Sequence, residues 1–352
     1  KGSVTVNSAD LSSAKGDLQI LGQNGVTLNS NIDVVASGDN ARDTLLTNQL
    51  KAKSVSIGTK KGNIDIQNTA MESTVDQLHL NSEAGMLTVN NSMLRSKGNT
   101  EIYAKDILTL KNVTANADQH LALNTQQSLY LITDYTPTAT VWSPTGKTAL
   151  TTKGVLSLTT AGNQLMQNTT LTGGAVLVEA NHLDIKSGVI LNAIGSDLLK
   201  NDAKLNSLNG DLSVQTTGTE GLTIDPKTMS LTAIGDIELV AKNGVLKLAG
   251  YGGGQGNGSE QIVKLNTSGG GVNLEGKSIN IEGSQITASK DIKIVSSEEN
   301  VVIEGVKNLL TNQLSLKEID RLENESAQLQ NNQIQINESL IFKTDKQALM
   351  DK

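Results

Sequence analysis

Across 352 residues, aromatics make up 2%, hydrophobic residues 37%, and 36 acidic side chains outweigh 29 Lys and Arg for a formal net charge of −7. This composition argues against a core built on Phe, Tyr and Trp and makes nucleic acid and anionic membrane surfaces poor partners. With no Cys, it excludes disulfides and thiolate metal sites.

The chain opens "KGSVTVNSAD", with neither an initiating Met nor an apolar signal region. No 18-residue apolar run follows, so the expectation is a soluble, uninserted piece of something longer. Its first motif, "VTVNSADLSS" (4–13), is the first copy of a repeat. "IDIQNTAMES" (64–73), "LTVNNSMLRS" (87–96) and "LTLKNVTANA" (108–117) align with it without gaps, their starts 23 and 21 residues apart. Later copies are "LMQNTTLTG" (165–173), "LDIKSGVILNA" (183–193) and "INIEGSQITAS" (279–289).

Each copy alternates apolar and polar residues, turns through two polar residues and reaches one further apolar residue. Alternation of period two marks a short strand with one buried face. The turn position holds Asn68, Asn91, Asn112 and Asn168, with Ser187 and Gly283 in two other copies. Asn and Gly tolerate left-handed backbone angles, so stacked copies are expected to form a structural ladder of turns. A second alternating strand precedes each copy by about eight residues, as in Leu78/Leu80 before Leu87/Val89. Units of roughly 20–23 residues with one apolar side per segment bury themselves only by stacking. The expected fold is therefore all-β, a parallel β-helix over 1–305. An antiparallel sandwich would call for regular two-residue hairpin turns, and Asn24-Gly25, Asn209-Gly210 and Asn243-Gly244 are too few to supply them.

Three breaks interrupt the period, and insertions into a solenoid leave as lateral loops that commonly bind. The first, about 33–50, ends in "LLTNQL", a hexapeptide repeated at 309–314 that suggests a shared structural theme. The second, about 132–152, contains "DYTPTATVWSPTG" (134–146) and gathers Tyr135, Pro137, Trp142 and Pro144 just after Tyr130. Two aromatic anchors that each bury about 150–250 Å² supply roughly 8–12 kcal/mol gross, before association costs. Covering an apolar edge of the rod is the competing role for these rings. The third, "GYGGGQGNGSEQ" (250–261), carries Tyr251 but lacks both the ending of a phosphate loop and the aspartates of calcium-binding repeats. Candidate receptor contacts are thus Tyr130, Tyr135, Pro137, Trp142, Pro144 and Tyr251. In 306–352, Leu316, Ile319 and Leu322 stand at helical spacing within "LSLKEIDRLENESAQLQ" (314–330), and "QIQINESLIFK" (333–343) reads as strand and turn. A short helix and a partial closing coil are expected there.

Catalytic chemistry is not expected. His79, His120 and His182 share no motif, and neither a metal site nor a cofactor site is read. With Arg42, Arg95 and Arg321 the only arginines, a lyase acting on acidic sugars lacks its cations. A β-helix enzyme degrading polysaccharide would need carboxylates such as Asp65, Glu101 and Asp106 to converge across coils; solvated charge ladders are the ordinary alternative.

"SQITASKDIKI" (284–294) and "SLTAIGDIELVAKNGVLKL" (230–248) resemble the repeats of filamentous-haemagglutinin-like exoproteins exported by two-partner secretion. The resemblance covers most of 1–305. It implies a right-handed β-helix, secreted to the surface of a Gram-negative bacterium through an outer-membrane two-partner-secretion transporter. It further implies adhesion to host cells or, in the contact-dependent growth-inhibition (CdiA) branch, binding of an outer-membrane protein or glycan receptor on a target cell for toxin delivery. The export domain's Asn-Pro motifs are missing, as is any toxin-like composition, so the expectation is an internal, monomeric filament segment that binds a receptor or serves as a passive shaft.

Overall fold

The computed structural model describes residues 2–29, 48–133, 148–225, 229–250, 263–298, 301–304, 308–310, 314–317, 327–330, 333–336 and 340–342. The chain divides into two compact units, Lys1–Gly173 and Gly174–Lys352. Both are parallel β-helices, as the alternation requires.

In the first unit every full coil carries three strands, which define faces A, B and C. One coil runs Val55–Thr59 (A), Ile64–Gln67 (B) and Thr69–Ser73 (C); the next runs Leu78–Ser82, Leu87–Asn90 and Met93–Ser96. Each strand pairs in parallel with its counterpart one coil on: Val55 with Leu78, Leu78 with Thr100, and Thr100 with Leu121. The third apolar contact read from sequence is therefore a strand in its own right.

Inward residues stack in register. Ile57, Leu80, Ile102, Leu123 and Leu158 line face A, and Leu28, Ile66, Val89, Leu110 and Leu131 line face B. All are essentially inaccessible to solvent. Burying each such side chain stabilises the coil by roughly 1.5–3 kcal/mol relative to leaving it in water. The narrow section explains the scarcity of aromatics, because Leu, Ile, Val and Met fill it. On face B of this unit Gln164 breaks the pattern: it follows Leu129 in the stack, is 2% exposed, and neither amide atom has a hydrogen-bond partner among the described residues.

The second unit repeats the plan. Ala175–Ala180, His182–Ile185 and Ile190–Ala193 form its first coil. Two coils fuse faces A and B into single strands, Ile237–Ala249 and Val272–Glu282, whose register shifts between Ala241 and Val245. Between Ala193 and Leu212 the chain makes an excursion that the repeat pattern did not signal. It contains a short helix, α1 (Asp197–Lys200), capped by Ser196, whose Oγ accepts from the Leu199 amide at 3.2 Å, and a 3-10 turn at Asn206–Leu208.

The C-terminal part differs from expectation. Leu314–Lys317, read as the start of a helix, is a strand pairing in parallel with Ile292–Val295, Leu314 in register with Ile292 and Leu316 with Ile294. Ala327–Gln330 is also a strand, paired antiparallel with Gln333–Ile336, while Leu340–Phe342 pairs antiparallel with Val301–Ile303. Reversing direction gives the last coils' edge groups hydrogen-bond partners on strands that do not continue the stack. Residues 318–326, including Ile319 and Leu322, lie outside the described residues. The hexapeptide repeat marks no common place, since Leu50 sits on face C and Leu314 on face A.

Candidate functional site

The corner between faces B and C organises the first unit. Asn68, Asn91, Asn112 and Asn168 take left-handed φ of 50°, 46°, 55° and 49° there, and Ser8 takes 51° at the equivalent place in the first coil. The Asn112 Nδ2 donates to Asn91 Oδ1 at 3.0 Å, linking two rungs. In the second unit Gly283 holds the turn at φ 48°. In the copy "LDIKSGVILNA" the left-handed residue is Gly188, at φ 72°, and not Ser187, because a neighbouring glycine adopts that conformation without a Cβ penalty.

Directly after Asn68, Asn91 and Asn168 stands a buried hydroxyl that closes the corner, whereas Val113 follows Asn112. Thr69 Oγ1 donates to the Gln67 carbonyl at 2.8 Å, Ser92 Oγ to Asn90 at 2.7 Å, and Thr169 Oγ1 to Gln167 at 3.0 Å. Two coils lack the single-residue turn: residues 30–47 and 134–147 are inserted at this corner instead. Their returning residues perform the same closure. Asn48 Nδ2 donates to the Asn29 carbonyl at 3.0 Å, and Thr148 Oγ1 donates to Ile132 at 2.6 Å. Asn48 and Thr148 are both fully buried. At the second insertion Thr133 completes a clasp: its Oγ1 accepts from the Thr148 amide and donates to the Asn168 carbonyl at 2.9 Å.

Two outward columns of face B are polar on the coils approaching this point: Asp65, Thr88 and Thr109 in one, Gln67, Asn90 and Lys111 in the next. At the coil from which 134–147 departs they become apolar. Tyr130 follows Thr109 and is followed by Leu165; Ile132 follows Lys111. Tyr130, Ile132 and Leu165 are half-buried outward residues on neighbouring strands, ~4.8 Å apart across the ladder. Of the residues read as receptor contacts, Tyr130 is the one the structure places. Tyr135, Pro137, Trp142, Pro144 and Tyr251 lie outside the described residues. Ile132 and Leu165 escaped the sequence reading, although the unbroken apolar run Leu129 to Ile132 signals a strand with both faces covered.

The groups weighed for catalysis are not drawn together. Glu101 lies on face A, 3.4 Å from His79, whereas Asp65 lies on face B and accepts from Gln67 Nε2 at 3.3 Å. Asp106, at the corner before face B, accepts from Gln127 Nε2 at 3.0 Å. His120 Nδ1 accepts from the Val155 amide at 3.0 Å, and His182 Nδ1 lies 2.9 Å from the Gly221 carbonyl. Between faces C and A charges pair across coils. Hydrogen bonds from Lys97 and Lys153, at 2.9 and 3.0 Å, hold the Asp118 carboxyl below the usual carboxylate range. Such exposed pairs contribute little to stability. Among the described residues no group of three or more His, Asp or Glu is arranged to hold a metal ion, and no helix is long and apolar enough to cross a membrane.

No protein-family model, no curated protein and no solved structure matches the chain.

Proposed function

We propose that this chain is an extracellular segment of a large surface exoprotein and that it binds a receptor on a target cell, as in contact-dependent delivery between bacteria. The contact is made at the B–C corner of the first unit, by Tyr130, Ile132 and Leu165 together with the aromatic residues of 134–147. The observation that carries this reading is the switch of two outward columns of face B from polar to apolar at the coil where the inserted segment departs. Half-buried Tyr and aliphatic side chains around a clasped loop root supply contact area at a small cost in side-chain entropy. Catalysis has no part in this reading.

The test is saturable binding of the labelled chain to intact Gram-negative cells. Two variants, Tyr130→Ser/Ile132→Ser and Tyr135→Ala/Trp142→Ala, are compared at matched circular dichroism. At least tenfold weaker binding by both variants is the expected result. Undiminished binding by both removes the corner from the receptor contact. A regular coil serving only for reach is the second reading, favoured by the unbroken register from Val55 to Leu131; it requires that the unmodified chain bind no cell, of bacterium or host.

A further inference from the structure

In the second unit, the outward residues of face A form a straight column across successive coils: Leu177, Ser213, Glu238, Asn273 and Lys293. They floor an open groove of about 520 Å³. Leu208, from the 3-10 turn of the 194–211 excursion, walls one side, and Asp211, Asp236 and Asp291 line its margin. The polar groups are pre-arranged. Glu238 Oε2 accepts from Ser213 Oγ at 3.0 Å and from Gln215 Nε2 at 3.2 Å. Asp211 Oδ1 accepts from the Asp236 amide at 2.8 Å, and Asp236 Oδ1 from the Gly271 amide at 2.7 Å. These bonds from coil to coil fix the carboxylates in place.

We propose that this groove binds an extended glycan strand carrying neutral or amino substituents, independently of the corner in the first unit. Three features select that ligand. The first is period. An extended glycan linked through equatorial bonds advances about one pyranose per ~4.8 Å coil step, so each sugar lies over one rung with alternate sugars turned over, whereas an extended peptide presents side chains to one face every ~6.6 Å. The second is chemistry. Carboxylates accept hydroxyl or ammonium donors, Gln215 and Lys293 donate to ring and hydroxyl oxygens, and Leu177 and Leu208 offer apolar contact to the C–H face of a sugar. The third is charge. Four carboxylates face one lysine in the lining, which repels uronate and sulfated chains. Burial, the largest influence on Asp211, raises its carboxyl above the usual range.

The experiment is calorimetric titration of the full chain with three hexasaccharides: β-1,4-linked glucosamine, β-1,4-linked N-acetylglucosamine and hyaluronan. Saturable binding of at least one of the first two, no binding of hyaluronan, and at least a tenfold loss in both Glu238→Gln and Ser213→Trp support the proposal. Asp65→Asn, which removes a carboxylate from the first unit, is expected to bind like the parent, as is Tyr130→Ser/Ile132→Ser. The proposal is overturned by absence of binding to both non-acidic hexamers, by preference for hyaluronan, by an equal loss in Asp65→Asn, which would signal diffuse charge attraction, or by indifference to both groove substitutions.

Discussion

Two kinds of corner in the first unit solve the same problem with different lengths of chain. At Asn68, Asn91 and Asn112 one left-handed residue carries the backbone from face B to face C. At the corner after Ile132, residues 134–147 intervene, yet Thr148 makes the bond to the preceding strand that Thr69 and Ser92 make elsewhere. The insertion corner thus keeps its coil in register with the closing bond, whereas at Asn112, which Val113 follows, the left-handed turn does so without one. A solenoid built this way accepts an insertion wherever the returning residue is a buried Asn, Thr or Ser, and the apolar ladder beneath is undisturbed. Binding segments can then vary while the shaft is kept.

If the bond matters more than the turn, removing it from the insertion corner has the larger effect. Thr148→Val keeps shape and volume but removes the hydroxyl that donates to the Ile132 carbonyl and that accepts from the buried Val113 amide at 3.5 Å. The expected cost is about 1–3 kcal/mol, read from the midpoint of urea unfolding. An unchanged midpoint would show that the inserted segment closes the corner by other means. Gln164 tests the ladder itself with the opposite sign. Replacing its unpartnered buried amide by the near-isosteric Met is expected to stabilise the protein by about 1–3 kcal/mol, with an unchanged urea slope.

Much of this was legible in the sequence, for a physical reason. Faces A and B alternate Leu, Ile and Val with polar residues, and that contrast survives in a string of letters. Face C does not show it. Thr69, Met71 and Ser73 are all buried, so small hydroxyl residues stand at inward positions and the strand reads as one apolar residue among polar ones. The tail misled differently: Leu316, Ile319 and Leu322 fit a helical period, but Leu314 and Leu316 also fit a strand, and parallel pairing with Ile292–Val295 makes 314–317 a strand. At the candidate site the scarcity of aromatics drew attention to Tyr130. Ile132 and Leu165 are ordinary residues whose significance lies in facing outward, which depends on register. The groove of the second unit combines side chains from several coils with an excursion whose one local signal was the Ser196-Asp197 helix start, so no contiguous motif announces it.

The simple corners are expected to respond more weakly than the clasped one. Asn91→Ala places a Cβ-bearing residue without a polar side chain at φ 46° and removes the acceptor for Asn112 Nδ2, whereas Asn91→Gly keeps the conformation and loses only the bond. The Ala variant is expected to lose about 1–2 kcal/mol in urea unfolding, with Gly closer to the parent. If both lost equally, the side-chain ladder would outweigh the backbone angle.

The smallest effect separates the second unit from the first, and its sign is fixed by linkage. Asp118 is held below the usual carboxylate range by two lysines, so its contribution to stability is present at neutral pH and fades as pH falls through its lowered folded value. Asp211 is shifted the other way, chiefly by burial. A raised folded value means that the ionised form is disfavoured in the native state, so this residue opposes folding at neutral pH and ceases to do so on acidification. Asp211→Asn keeps the acceptor for the Asp236 amide and removes the charge. The variant is therefore expected to be slightly more stable than the parent at pH 7, by less than about 1 kcal/mol after solvent screening. The gap should close as pH falls through the raised value and vanish below the ordinary Asp range. A gap that widened on acidification would mean that the Asp211 carboxylate is stabilised in the folded groove, by Lys290 or by the Asp236 amide, more than burial penalises it.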